Sequence, residues 1–442
     1  MTGGTFVPRP SRREMDHMRV LIVGAGISGV TTAYLLARAG CEVTVVDRGT
    51  EPAEETSFAN GGVVGGTQIE PWASPGLQWN LLKWLGREDA PLLVRWREIP
   101  RLMGWGLRFL SNCDPGRFHR NLAVSGRLTR HSLAKFADIR ETANIAAEDY
   151  DLIRRGALKL YFTDQSYAHA CADIELMRKL GFDVREVDAR RCVALEPGLA
   201  PVANTLTGGV SYAEEEVGDC RAFTRVLARR ARELGVAFRF GTQVWALQRA
   251  GDRLEGLVTD SDLLTADSYV IATASYSAPL LKTAGIGVPV IPAKGLTISV
   301  PADPWPDAVR SAVMDHSRLF GLIRIGSSLR VSGSAELTGY DTTAAVSRAN
   351  AILAGVTELF PEFQRCLDAG PPQRWAGVRG LTPDGPPILG PTGIANLYLN
   401  IGHGPQGWST SCGSADLVAD LVIGREPAIS MEGLTLARFG AR

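Results

Sequence analysis

After a polar start, the chain falls into apolar blocks whose spacing differs from one region to the next. Residues 20–23 (VLIV) form a short β-branched and leucine run, the composition of a parallel strand buried on both faces. Apolar positions then recur at helical spacing from 28 to 39, and Gly40 is placed to end that helix in left-handed backbone. A second strand follows at 43–46 and stops at Asp47. Residues 87–150 read as helical, in patches such as RLMGWGLRFLSNC and LTRHSLAKFADIRETANI. ALKLYF (157–162) reads as strand. GDCRAFTRVLARRARELG (218–235) reads as a helix with Asp219 as N-cap and Gly235 as its stop. VAFRFGTQVWAL gives further strands, and DSYVIATAS (267–275) is a buried strand that ends in small residues.

Between 290 and 340 the period changes to two. LTISV, LFGLIRI and SLRVSGSAEL alternate as an antiparallel sheet does. Residues 342–364 return to helical spacing, and 397–424 give a strand, a glycine loop and a last helix. Nucleotide-type units at both ends and in the middle, with helical and antiparallel segments between, predict an α/β protein of two interleaved domains. A Rossmann-like nucleotide domain is expected over 18–95, 200–290 and 375–442. A second domain, built on a mainly antiparallel sheet with helices, is expected over 96–199 and 291–374. Residues 1–17, polar with two prolines and no apolar run, are expected to be a disordered leader.

Composition narrows the classes. Lysine plus arginine equals aspartate plus glutamate at 47 each, so no global field points to nucleic acid. The seven cysteines are scattered, with no CxxC pair and no metal-ligand spacing, which reads as reduced thiols in a cytoplasmic protein without a metal site. No run of ~18 apolar residues occurs to span a bilayer. The tryptophan-rich stretch PWASPGLQWNLLKWLG (71–86) is read as a buried helix, with peripheral contact at the inner face of the cell membrane left open.

The first chemical motif is GAGISG, residues 24–29. Gly24, Gly26 and Gly29 stand between a strand and a helix as GxGxxG: the first makes the turn, the second lets a pyrophosphate near the backbone, the third lets helix pack on strand. The helix N-terminus offers free N–H groups and a positive dipole end. Asp47 lies 18 residues beyond Gly29, at the end of the second strand, where an acid would accept bonds from a ribose. NAD and FAD both suit this unit. The small, polar, glycine-rich ETSFANGGVVGGTQ (55–68) follows where an NAD half would turn to another helix, and so favours the longer FAD.

Two C-terminal stretches carry the rest. NLYLNIGHGPQGWSTSCGSADLVADLV (396–422) feeds a second glycine loop into a helix N-terminus, suited to the negative charge of a reduced flavin. WAGVRGLTPDGPPILG (375–390) reads as a rigid loop that frames Arg379, and a guanidinium so framed suits a carboxylate.

Taken together, VGAGISGV with VVDR, ETSFANGG, PWASPG, SNCD, GDCRAFT, YSAPLLK, KGLTISV, VRGLTPDGPPILG and LNIGHGPQGWSTSCGS resemble the FAD-dependent D-amino-acid dehydrogenases of the glycine oxidase, sarcosine oxidase and D-amino-acid oxidase group. The resemblance runs from Met18 to about Phe439. It implies that Gly24, Ala25, Gly26, Ile27, Ser28 and Gly29 hold the pyrophosphate and Asp47 the adenosine ribose. Arg48, Ser57, Asn60, Gly61, Gly62 and Val63 would lie along the cofactor, with Val244 at the adenine, and Ala274 would also bind the cofactor. Gly402, His403, Gly404, Gly407 and Trp408 would border its pyrimidine end. Arg379 falls where relatives pair the substrate carboxylate, and His316 and Phe320 fall in the segment facing the pocket. Two positions depart from the family pattern: Leu296 stands where KGYS has tyrosine, and Gly380 where proline often follows the arginine. Lys294 is read as a loop or solvated lysine.

The implied reaction is oxidative deamination of a D-amino acid to a 2-oxo acid and ammonia, by hydride transfer from Cα to flavin N5. Electrons would pass to a quinone or another acceptor. Rival readings are oxidation of a secondary amine (an N-substituted glycine, D-proline or hydroxyproline), an NAD-linked dehydrogenase, or the flavin subunit of a larger electron-transfer complex with partner subunits.

Overall fold

The computed structural model describes residues 18–77 and 92–440. The leader expected over 1–17, and the 78–86 part of the expected helix, lie outside the described residues; residues 71–76 are turns and bends. The first sheet has six strands in the order Ile388–Pro391, Leu397–Ile401, Ser268–Ile271, Arg19–Val23, Glu42–Val46, Ala237–Arg239. Every neighbouring pair is parallel except the first. Arg19–Val23 is central and buried from Val20 onward, which is why its sequence is apolar without alternation.

Helices cover one face of this sheet. Ile27–Arg38, Cys220–Glu233 and Gly407–Val422 share a core that includes Val30, Leu36, Phe223, Leu227, Leu417 and Val418. On the other face, Leu21, Val23, Tyr269 and Leu399 pack against Leu247 and Leu257 of a small three-stranded sheet. Of the region expected to be helical over 87–150, residues 87–91 lie outside the described residues and Leu92–Val94 is a strand instead; two helices follow, Ile99–Asn112 and Pro115–Thr142, joined where Asp114 accepts the Arg117 N–H at 3.0 Å.

The larger sheet has nine strands, mainly antiparallel, in the order Gln373–Leu381, Ile291–Pro301, Ser328–Leu337, Phe320–Ile325, Ala312–Asp315, Ala157–Tyr161, Gly208–Tyr212, Val184–Asp188, with Leu92–Val94 alongside Ser328–Leu337. Leu92–Val94, Gly208–Tyr212 and residues 375–381 of Gln373–Leu381 fall in segments expected in the nucleotide domain, and all three strands pair in the larger sheet. A strand joins the sheet whose edge it meets, and its own residue pattern does not name that partner. The expected loop around Arg379 is likewise strand. All seven cysteines are unpaired. Among the described residues no helix is long and apolar enough to cross a membrane, and no His/Cys/Asp/Glu group could hold a metal ion.

A buried carboxyl ties the two sheets' connecting loop in place. Glu215, 3% exposed, accepts from the Gly66 N–H, from the Thr67 N–H at 3.1 Å and from Thr67 Oγ1 at 3.0 Å. Burial outweighs these bonds and raises its pKa from the ordinary 4.5 to about 7. A raised folded-state pKa stabilises the fold fully below 4.5, and that contribution is lost as pH climbs toward 7. Urea titrations between these limits are expected to show stability falling with pH, and Glu215→Gln should flatten that slope. An unchanged slope in the variant would show that Glu215 is not the group responsible.

Candidate active site

At the C-terminal end of Arg19–Val23 the chain turns through Gly24, whose φ is 111°. A Cβ there would stand 2.6 Å from the Ala272 carbonyl oxygen. Gly29 is tighter still, since a Cβ would lie 1.8 Å from the Gly24 oxygen, so helix meets strand only because position 29 lacks a side chain. Gly26 differs: Ser57 Oγ at 3.4 Å is all that its missing Cβ would face. The helix it starts has no side-chain N-cap, although the Ile27 N–H donates to Ser57 Oγ at 3.1 Å. Ile27 and Ser28 line a cavity of about 950 Å³, so the positive end of the helix opens into it.

Asp47 ends the neighbouring strand at the same cavity. Its carboxylate accepts the Ala25 N–H at 2.6 Å and the Gly49 N–H at 2.7 Å, which fixes its orientation. Ala25 and Gly29 therefore support the turn and do not line the cavity. Arg48 pairs with Glu55 and lies 4.0 Å from the centre of the Tyr276 ring. Val244 also lines the cavity, as do Tyr276 and Trp245, which the sequence reading did not single out.

Ser57, Asn60, Gly61, Gly62 and Val63 continue the wall. Thr297 Oγ1 donates to the Ala59 oxygen at 2.7 Å, and Asn60 Oδ1 accepts the Gly62 N–H at 3.0 Å, so this loop is tied to the larger sheet. Ala274 lines the opposite segment with φ 46°, unusual for a residue with a Cβ. At the second glycine loop, His403, Gly404, Gly407 and Trp408 line the cavity, but Gly402 does not. Its φ of 77° turns it toward Thr382, whose Cγ2 is 2.8 Å from the missing Cβ. Gly402 thus sits as a backbone turn directly behind the lining residue His403.

Buried polar atoms at this end lack partners. His403 Nε2 and Trp408 Nε1 make no hydrogen bond among the described residues. Burial pushes the His403 imidazole down to about 4, so it is neutral at pH 7. Orphaned groups of this kind call for a polar ligand.

Arg379 reaches the same cavity from Gln373–Leu381. Its neighbour Ala293 is in register on Ile291–Pro301, and the guanidinium lies on Gly295, where a Cβ would come within 2.5 Å of Nη2. Gly380, the departure from proline, packs its backbone on Ala274, whose carbonyl carbon would be 2.9 Å from a Cβ. Among the described residues Arg379 makes no hydrogen bond or ion pair, and burial lowers its pKa.

Of the two specificity candidates, Phe320 is a wall that packs into the core with Leu158, Ile298 and Leu353, and His316 sits 5.0 Å from Tyr161, ring to ring. Beside them is an ion pair the sequence reading missed, Lys159 Nζ to Glu70 at 2.6 Å, both on the cavity. The available signal was a lysine inside the apolar run ALKLYF. Lys294 is also corrected: it is 2% exposed, in a strand, and paired with Glu336 at 3.0 Å.

Residues 19–421 match the family described as FAD dependent oxidoreductase. The chain belongs to that family. It is 42% identical over 424 residues to a D-amino acid dehydrogenase of Allorhizobium ampelinum, covering 96% of this chain and 99% of the relative. It is 43% identical over 423 residues to a D-amino acid dehydrogenase of Paramagnetospirillum magneticum, with 96% and 99% covered. Its fold is that of glycine oxidase from Geobacillus kaustophilus, at TM-score 0.73, 22% identity, and 96% and 99% coverage. L-proline dehydrogenase from P. horikoshii gives TM-score 0.74 at 18% identity, with 96% and 99% covered. FAD is the cofactor of this family, and the glycine cradle, the two helix N-termini and the orphaned donors fit it. Gly26→Val would fill the open space at the first helix; purified protein is expected to keep its far-UV spectrum and lose most of its yellow colour. Full flavin content in that variant would place the diphosphate elsewhere.

Proposed function

We propose that this flavoenzyme oxidises a D-amino acid to its 2-oxo acid and ammonia, with Arg379 holding the carboxylate. The carrying observation is a guanidinium on the cavity wall with no anionic partner among the described residues. A charge drawn out of water without a partner costs several kcal/mol, and a ligand carboxylate would offset that cost. The planar fork gives two parallel N–H bonds, which fix the orientation of the substrate as well as its position. The names of the 42% and 43% identical relatives support a D-amino acid as the substrate.

Gly24, Gly26, Ile27 and Ser28 would hold the diphosphate, with Ala25 and Gly29 shaping the turn behind them, and Asp47 would hold the adenosine ribose. Arg48, Ser57 to Val63 and Ala274 would lie along the cofactor, and His403 with Gly404 to Trp408 would face its pyrimidine end. Bound FAD supplies the hydride acceptor. Substrate held by Arg379 needs its amine unprotonated, and no general base is required of the protein beyond that. His403, neutral and with a free ring nitrogen, can hydrogen-bond without adding charge. His316 and Phe320 shape the side-chain end.

The electrons would leave to a quinone or another carrier, with peripheral contact at a membrane face. In support of that contact, helix Ile99–Asn112 exposes Met103, Leu107 and Leu110 on one face, near the exposed arginines Arg97 and Arg101.

Anaerobic mixing with D- and L-amino acids, sarcosine and D-proline should bleach the flavin with primary D-amino acids. Arg379→Ala should retain FAD and lose about 10²–10³-fold in kcat/KM, the range for removing one partner of a buried charge pair. Bleaching by secondary amines alone would move the substrate class, and an unaffected Arg379→Ala would remove the clamp. In a separate measurement, the protein should co-sediment with vesicles containing anionic lipid, and Leu107→Asp should weaken that; no sedimentation would count against membrane contact.

A further inference from the structure

Behind the strand that carries the Arg379 guanidinium lies a buried cluster of charges that the proposed chemistry does not use. Lys294 and Glu336 are each 2% exposed, and Lys294 Nζ stands 3.0 Å from Glu336 Oε2. Lys294 also donates to Asp341 Oδ2 at 3.2 Å and to the Thr343 oxygen at 3.1 Å. Glu336 Oε1 accepts from Ser334 Oγ at 2.9 Å and lies 3.3 Å from Arg348 Nε, while Arg348 Nη2 donates to Ser334 Oγ at 2.9 Å. Both oxygens of Glu336 are thus occupied, and two cations face two anions.

This cluster sits on an irregularity in the sheet. Lys294 is opposite Glu336 and Leu296 is opposite Gly333, so one strand advances two residues while the other advances three. The extra residue is a β-bulge, and Ser334 within it has a φ of 66°, a left-handed conformation that costs a serine energy. Opposite the bulge is Gly295, on which the Arg379 guanidinium lies. Ser334 and Ala335 line the same cavity as Arg379. Side chains alternate across a strand, so Lys294 is turned to the far side while Gly295 offers its bare Cα to the guanidinium. Because the four charges balance, the cluster can hold the bulge without supplying Arg379 with a counter-ion.

We infer that Glu336, clamped by Lys294 and Arg348, is a positioning residue that fixes the bulge and thereby the plane on which Arg379 presents its fork to a carboxylate. This rests on the reading of Arg379 as the carboxylate clamp. It adds that the clamp's geometry is set from the opposite face of the sheet.

The test is a double-mutant cycle on carboxylate binding, which needs no turnover. Benzoate is titrated into the flavin-loaded enzyme and followed by the flavin absorbance, for wild type, Glu336→Gln, Arg379→Ala and the double variant. Glu336→Gln is expected to weaken benzoate about tenfold with FAD content unchanged, and to have no further effect once Arg379 is absent, the non-additivity of residues that act through one another. Ser334→Gly, which tolerates the left-handed backbone and removes the Oγ link, should weaken benzoate in the same Arg379-dependent way, and it serves should Glu336→Gln fail to fold. Equal losses with and without Arg379, or unchanged benzoate binding in both variants, would overturn the inference. Failure of D-amino acids to bleach the flavin while the cycle remains coupled would fault the proposed substrate and leave the positioning role standing.

Discussion

The arrangement turns on one uncompensated charge. Arg379 stands on the wall of a cavity with no carboxylate against it among the described residues, although acids such as Glu55, Glu70 and Asp315 line that cavity elsewhere. Each of those is committed: Glu55 to Arg48, Glu70 to Lys159, Asp315 to Arg318 at 2.7 Å. With these three acids paired in place, Arg379 is left among the described residues as a cation without a counter-ion on the cavity wall. In a desolvated site such a cation acts strongly because little water screens it.

The second constraint is closeness of backbone. The nucleotide end works because Gly24 and Gly29 allow a strand, a turn and a helix to approach within distances no side chain permits. The Arg379 end uses the same device, with Gly295 under the guanidinium and Gly380 against Ala274. Gly26 is the exception, since its missing Cβ leaves space and not contact. The cavity is thus shaped as much by absent side chains as by present ones.

Much of the nucleotide half was legible along the chain. A strand, helix and second strand carry their pattern within about thirty residues, because each element's burial and its phosphate-facing turn are local properties. The helix at Cys220–Glu233, with Asp219 accepting the Ala222 N–H at 2.9 Å, and the antiparallel run between Ile291 and Leu337 were legible for the same reason. The surroundings of Lys294 were not. A lysine before a glycine looks the same whether it faces solvent, a ligand or a buried carboxylate.

Sequence alone therefore determined most of the element types, the family resemblance and the cofactor class, and it singled out Arg379 as the candidate for a carboxylate. Tertiary structure alone decided that Arg379 lies in a strand and is unpaired among the described residues, that three strands assigned to one domain pair with the other sheet, and that Lys159 and Lys294 find acids far away along the chain. The physical reason is range. Periodicity, caps and turns depend on neighbours a few residues away, whereas strand partners and buried ion pairs depend on which distant segments meet.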